Sequence, residues 1–386
     1  MRDSVLFEMT KSQLETGLRD IPVGYCVTSS VDPTKGGAYV GRPIIQLAQF
    51  DPMEVIYLLY YGEPGSKIQI QKFSQDLQTL APLSPETLSH LQQLPRIENP
   101  MDLLAMAFLT AGNYEKMGSD YRQDCLSFIA KLPQIIATVM NMHAGWGMNP
   151  ITKPEMGYVE NFLNLLKMPE EKSEKLLQVL KMLIILYMDH SGGNLSAYIG
   201  KTISSGLGNM AQSLSGAMLG LSCPKQAGAN QKALEFVYDV QETMGDNPFE
   251  IEKIIRAKVE KGELIHGFGH SVLRVEDPRA TFLYNYAQKH FENHPLIQAA
   301  LFLRTFVPKI LSEYPKIANP YPNIHAIAGP LLVAAGFVHE NYFPFIFALS
   351  RSIGIVIQVA YDRTEARKGK GVPLMHPLYL YKARNL

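Results

Sequence analysis

The run "GELIHGFGHSVLRVEDPRATFL", residues 262–283, sets His270 directly behind Gly267, Phe268 and Gly269 and follows it with Arg274 and Arg279. Glycine opens backbone conformations closed to other residues, so a ring placed behind such a turn can be aimed at a nearby group. One titratable imidazole beside two permanent cations suits an anionic ligand. A surface loop with unrelated charges is the competing reading of the same spacing. Two further residues carry the same choice. Arg351 lies within the apolar run "YFPFIFALSRSIGIVIQVAY", residues 342–361. A guanidinium there never deprotonates and requires a structural carboxylate or an anionic ligand. His190, in "DHSGGN" just past another apolar run, is either a capping or core histidine or a ligand-facing one.

The elements that must position these residues read as helices. "DPMEVIYLLYYGE" and "NPMDLLAMAFLTA" each open on a capping residue followed by proline, Asp51 and Asn99, the pattern of a helix with Pro at its first position. In "CLSFIAKLPQIIATVMNMH" Pro133 predicts a kink. Strand signals are confined to "IPVGYCVTSSVDPTKGGAYVGRPI", where Asp32-Pro33 and Gly36-Gly37 supply turns between short runs. "KLLQVLKMLIILYMDH", stopped by the glycines of "SGGN", and residues 342–361 are apolar enough to suggest membrane spans. Arg351 costs an inserted helix about 2.5–3.5 kcal/mol. Both runs therefore read as central helices of a large all-α core, not as membrane helices. The small-residue run 195–220 suits close helix packing, and its Gly206-x-Gly208 follows no strand, so it is no dinucleotide fingerprint. A more charged zone from Pro224 to Pro322 suggests a small domain, residues 224–322, inserted between the parts 1–223 and 323–386 of a larger helical one.

Composition narrows the class. The 386 residues suffice for two domains with a large core. Lys plus Arg equals Asp plus Glu at 36 each, so no overall field favours nucleic acid or an anionic membrane. The three cysteines, Cys26, Cys125 and Cys223, form no CxxC pair, which argues against a disulfide framework or thiolate metal site and for a reducing compartment. The first twenty residues are mixed in charge and lack the apolar centre of a secretory signal. The expectation drawn from these signs is a cytoplasmic protein without bound metal.

Longer motifs then accumulate in order along nearly the whole chain. "GLRDIPV", "YVGRPI", "FDPMEVIYLLYYGEPG", "AKLPQIIA", "YVENFLNLL", "DHSGGNLSA", "GFGHSVLRVEDPRA", "PNIHAIAGPLL" and "SRSIGIVIQVAYD" together resemble citrate synthase. The resemblance implies an all-α, two-domain homodimer whose small domain closes over its substrates. It implies a condensation of acetyl-CoA with oxaloacetate followed by thioester hydrolysis, with acyl-CoA as co-substrate and no bound cofactor. By that resemblance His190 binds the oxo acid, His270 polarises its ketone, and Arg279 and Arg351 hold its carboxylates. Arg274 lies where some members contact a CoA phosphate.

The thioester side departs from the pattern. "CPKQAGAN" puts Gln226 where the family has the enolate-supporting His, and "PNIH" puts His325 where it has the Asp base. "HPLYLY" puts His376 where it has an Arg from the partner subunit, and "YVGR" stands for the family's "YRGY". An amide N–H still serves an oxyanion, and a neutral imidazole with an unperturbed pKa of about 6.5 still serves as a base. His376 lacks the bidentate fork of Arg and clamps a carboxylate less firmly. Three readings stand: an acyltransferase with a rebuilt enolising site, a non-catalytic relative that binds a dicarboxylate or CoA, and a related carbon–carbon lyase.

Overall fold

The computed structural model describes residues 7–118, 120–148, 151–224, 226, 228–243 and 248–382. Residues 1–6, on which part of the leader reading rests, and 225 and 227 of "CPKQAGAN" lie outside the described residues. The structure is 61% helical, against three short strands among the described residues, which makes the class all-α.

The centre of the fold is the helix Phe343–Thr364, buried along nearly its whole length. It packs against the helices Tyr121–Ala144, Glu174–Tyr187, Leu195–Ser205 and Met210–Ser222. Gly354 permits close approach to the end of the helix Glu174–Tyr187, since a Cβ there would lie 2.3 Å from the carbonyl oxygen of Met188. Around the helix His325–Ala334 pack Gly228–Thr243, Pro278–Phe291 and Pro295–Leu311, and the same helix touches Glu174–Tyr187. The two sets of helices therefore meet where Tyr187, Arg351 and His325 lie.

The capping residues act as their spacing predicts. Asp51 accepts from the backbone N–H of Met53 at 2.8 Å and Asn99 from that of Met101 at 3.1 Å, each with Pro at the first helical position. The helix Tyr121–Ala144 continues through Pro133. Of the two membrane-like runs, only residues 342–361 form a helix long enough to cross a bilayer; Lys175–His190 yields the 14-residue helix Glu174–Tyr187. Tyr121–Ala144 is the second helix of that length, and the apolar windows of the two are 83% and 94% buried inside the fold.

One detail of the helix stop differs from expectation. The left-handed residue after Glu174–Tyr187 is Ser191, at φ 57°, and not a glycine of "SGGN". Hydrogen bonds hold it there against a cost of about 1–3 kcal/mol for a non-glycine residue. Its N–H donates to Ser29 Oγ at 2.7 Å, and its carbonyl accepts from Asn194 Nδ2 at 2.8 Å and Gln358 Nε2 at 3.3 Å.

The predicted strands form one antiparallel sheet, β1 (Ser29–Asp32), β2 (Gly36–Tyr39) and β3 (Arg42–Pro43), with Asp32 paired to Gly36 across the first turn. This sheet pins the His190 loop. The fully buried Tyr39 donates its hydroxyl hydrogen to Ile185 O at 2.8 Å and accepts from the N–H of Asp189 at 3.0 Å. Thr28 and Ser29 donate their hydroxyls to Asp189 Oδ2.

Candidate active site

A cleft between the two sets of helices is lined by Tyr187, His190, Asn194, Gln226, His270, Arg279, Asn323, Ile324, His325, Phe347 and Arg351. Seven of the eight residues singled out from sequence divide cleanly by this lining: the three histidines His190, His270 and His325, Gln226, Arg279 and Arg351 are inside it, and Arg274 is not. His376, the eighth, lies on the exposed C-terminal stretch beside Pro377, Leu378 and Tyr379, away from the cleft of its own chain. Arg274 is exposed, and its Nη1 donates to the carbonyls of Ser271, Val272 and Leu273 of its own loop.

The glycines flanking Phe268 do what their type suggested. Gly267 and Gly269 take φ of 88° and 83°, in the region open to glycine. That turn lets the loop pair with residues 321–323: Gly269 N–H donates to Tyr321 O and Asn323 N–H to Gly267 O, both at 2.8 Å. His270 and His325 thereby come from two segments far apart in sequence to one wall. His270 Nδ1 accepts from the N–H groups of Val272 and Leu273, both at 3.0 Å. A nitrogen that accepts twice carries no proton, so the neutral ring is the Nε2–H tautomer and presents a donor. Desolvation by the surrounding protein, and next the charge of Arg279, hold this ring down at about 4, so it is neutral at pH 7.

Arg279 and Arg351 are both buried but differently held. Arg279 makes a bidentate pair with Asp277, Nη2 to Oδ2 at 2.8 Å and Nε to Oδ1 at 3.1 Å. Burial pushes the Asp277 carboxyl up, yet the charge and hydrogen bonds of Arg279 overcome that and hold it at about 2. Asp277 also caps the helix Pro278–Phe291 through the N–H of Arg279. Arg351 has no carboxylate within ion-pair distance among the described residues. Its Nε donates to Tyr187 O at 3.0 Å, and its guanidinium sits over the Phe347 ring at 4.9 Å. Asp189 is near enough to favour its charge, but the Asp189 oxygens are taken by Thr28, Ser29, Gln358 and the N–H of His190. Burial brings Arg351 down to about 10, still charged at neutral pH. The structural carboxylate partner that would have explained Arg351 blandly is absent among the described residues.

His190 stands beside His270, ring centroids 5.7 Å apart. Desolvation first, then Arg279 and Arg351, push it well below the ordinary imidazole range, so it too is neutral. His325 opens the helix His325–Ala334, its N–H donating to Asn323 Oδ1 at 2.9 Å. Its Nδ1 lies 3.3 Å from the Tyr187 hydroxyl, with the two rings stacked at 5.8 Å. Desolvation, then Arg279, hold it at about 4, which departs from the unperturbed imidazole expected from sequence. Gln226 Nε2 donates to Ser196 Oγ at 3.0 Å.

Sequence reasoning missed Asp277, Tyr187, Asn194 and Asn323. Asp277 had a local signal, since an Asp before Pro is a capping residue. Tyr187 had none, because an aromatic at the end of an apolar helix reads as core.

Comparison with known proteins gives the family. Residues 17–377 match the model described as the C-terminal domain of citrate synthase. The peroxisomal citrate synthase of Saccharomyces cerevisiae is 28% identical over 91% of this chain and 81% of its own length. The mitochondrial citrate synthase 4 of Arabidopsis thaliana is 29% identical over 93% and 80%. Among solved structures, citrate synthase from Thermotoga maritima superposes with a TM-score of 0.81 at 24% identity, covering 96% of both chains. The ternary complex of the Thermoplasma acidophilum citrate synthase with carboxymethyl coenzyme A and oxaloacetate gives 0.82 at 23%, again over 96% of both. The cytoplasmic expectation is corrected by the two curated relatives, which are a peroxisomal and a mitochondrial protein. Scarce, unpaired cysteines mark a reducing compartment and do not separate the cytosol from an organelle matrix. The chain belongs to the citrate synthase family, all-α transferases that condense an acyl-CoA with oxaloacetate and need no bound cofactor.

Proposed function

We propose that the cleft binds oxaloacetate between Arg351 and Arg279 and condenses it with acetyl-CoA through a rebuilt enolising site. His270 Nε2–H donates to the keto oxygen, beside His190. His325 takes a methyl proton of the thioester, and the second amide hydrogen of Gln226 supports the enolate oxygen. The enolate carbon then bonds to the keto carbon, the new alkoxide is protonated to a hydroxyl, and water releases the CoA thiol. The observation that carries this reading is Arg351, a buried guanidinium with one backbone acceptor, beside neutral histidines in an open cleft. Such a cation is costly to bury unless an anion completes it. Arg274, outside the cleft, is available to a CoA phosphate.

A binding-only relative is the second reading, favoured by the cleft lining itself, which includes neither Asp nor Glu. Thiol release from acetyl-CoA, with oxaloacetate, pyruvate and 2-oxobutyrate run in parallel, separates the two. The expected result is release that depends on oxaloacetate. Silence with all three acids supports the binding-only reading.

We further propose that the chain has a large domain and a small one that closes over the cleft, with the boundary expected at 322/323 moved past the helix His325–Ala334, which packs mainly against Gly228–Thr243, Pro278–Phe291 and Pro295–Leu311, and that the chain works as a homodimer. Exposed apolar side chains support the dimer: Met106 and Leu109 on one helix, Leu207 and Leu219 around the small-residue run, and Leu378, Tyr379 and Tyr381 near the C-terminus. Apolar area of this kind is commonly covered in an isologous interface. It is also the route by which His376 would reach a second subunit's cleft. Sedimentation equilibrium at micromolar concentration should give twice the 43.1 kDa chain mass. A monomer throughout that range contradicts the dimer and the role of His376 together.

A further inference from the structure

A second pocket, of about 250 Å³, lies between the end of the helix Pro52–Tyr61, the start of Tyr121–Ala144 and the end of Phe343–Thr364, beside the N-terminal sheet. It is larger than the catalytic cleft, at about 150 Å³, and shares no lining residue with it. Apolar side chains make one wall: Leu59, Ile357 and Ala360 are buried there, with Val40 partly so. Among the described residues its charged lining is one group of each sign, Arg122 and Glu365. They pair with each other at 2.5 Å, both about half exposed, and the Arg122 guanidinium lies over the Tyr60 ring at 5.9 Å. Thr28, also in the lining, donates its hydroxyl to Asp189 Oδ2, and Asp189 Oδ1 accepts from the N–H of His190. The pocket therefore backs onto the support of the His190 loop without being part of the cleft.

The charges decide what such a pocket takes. A simple anion that reaches Arg122 also meets the Glu365 carboxylate, and a simple cation that reaches Glu365 also meets Arg122. An α-amino acid carries a carboxylate and an ammonium on one carbon and gives each side chain its opposite charge. An exposed pair contributes about 0–1 kcal/mol, so parting it costs little, whereas the guanidinium fork suits a carboxylate. The volume falls below the range of about 300–1,000 Å³ typical of pockets for drug-sized ligands, and the buried wall suits an apolar side chain. We propose that this pocket is a binding site for a free α-amino acid with a branched aliphatic or aromatic side chain, its carboxylate on Arg122 and its ammonium on Glu365.

The test is equilibrium dialysis of the full chain with L-leucine and L-phenylalanine, supported by saturation-transfer NMR. At least one of them should bind with a Kd of about 1 mM, the scale for a ligand of about ten non-hydrogen atoms. Two analogues of leucine remove one charge each: 4-methylpentanoate lacks the ammonium and 3-methylbutylamine lacks the carboxylate. Both should bind about tenfold more weakly or worse, the effect of losing one charge-assisted hydrogen bond. Arg122→Gln and Glu365→Gln should each weaken amino-acid binding to a similar degree and leave oxaloacetate binding unchanged, because neither residue lines the cleft. The analogues decide the matter on the wild-type chain if a variant does not fold. Binding of neither amino acid at tens of millimolar overturns the proposal. So does an analogue that binds as tightly as leucine, or leucine binding that survives both substitutions. Competition between leucine and oxaloacetate for one site also overturns it, since that places the amino acid in the catalytic cleft.

Discussion

Arg351→Ala removes the rise in melting temperature that oxaloacetate gives the wild-type protein, and weakens its binding by about 10²-fold or more. Truncating one partner of a buried, hydrogen-bonded charge pair costs about 2–5 kcal/mol of binding, and ligand stabilisation follows affinity by mass action. The unliganded protein should respond in a less usual way. An ordinary truncation of this size in a core costs about 2–5 kcal/mol, but removing Arg351 also removes a charge held by one backbone carbonyl and no ion-paired carboxylate. The apo melting temperature should therefore fall less than for a core Leu→Ala change such as Leu183→Ala, a fully buried side chain on a neighbouring helix. Arg279→Ala supplies the contrast. It strands the buried Asp277 carboxylate without its cation, a defect worth about 3–5 kcal/mol, so that variant should be poorly folded before any ligand is added. If Arg351→Ala keeps the oxaloacetate shift, Arg351 does not hold the ligand. If it unfolds the protein as badly as Arg279→Ala, Arg351 is a structural residue of the core.

How much of this was legible in the sequence depends on the range of the interaction. The turn of Gly267 and Gly269 is local, and a histidine behind it was readable as aimed. Arg351 was readable because burial of a guanidinium sets a requirement whatever its neighbours are. The caps at Asp51 and Asn99 act within one turn of their own helices. What escaped is long-range. Nothing near Tyr187 says that it meets His325, 138 residues away in the chain. Nothing in the early strands says that Tyr39 and Ser29 staple the loop carrying His190, although their pairing was anticipated. The charge of Arg274 was plain, but nothing in its spacing said that its Nη1 would be held by carbonyls of its own loop. His325 lies in the cleft, neutral as expected but with a pKa lower than the unperturbed value, because desolvation is a property of packing and not of spacing.

That lowered pKa sharpens the last test. His325→Ala should lower the condensation rate by about 10²–10⁴-fold, the usual contribution of a positioned general base, while oxaloacetate still raises the melting temperature. The active form of the base is the neutral imidazole, and it is lost by protonation as pH falls through its pKa. Because desolvation and Arg279 hold His325 at about 4, kcat/KM, which reports the free enzyme, should stay level through pH 6.5 and decline only on approach to about 4. A break near 6.5 would identify a solvated imidazole elsewhere. For His325 to act through Nε2, its Nδ1 must carry the proton and donate to the Tyr187 hydroxyl 3.3 Å away. Tyr187→Phe should then slow the reaction without weakening oxaloacetate binding. The double change Gln226→His with His325→Asp restores the residue types that the family resemblance places at these positions. In an otherwise intact cleft it should support citrate formation, although His376 holds a distal carboxylate less firmly than an arginine fork. If the wild type releases no thiol with any acyl-CoA and the double variant does, the chain is a binding protein on an enzyme's fold. If the wild type is active and His325→Ala leaves its rate unchanged, the proton goes elsewhere. Among the residues lining the cleft, that leaves the two other neutral histidines, His190 and His270, and His270 already uses Nδ1 on its own loop.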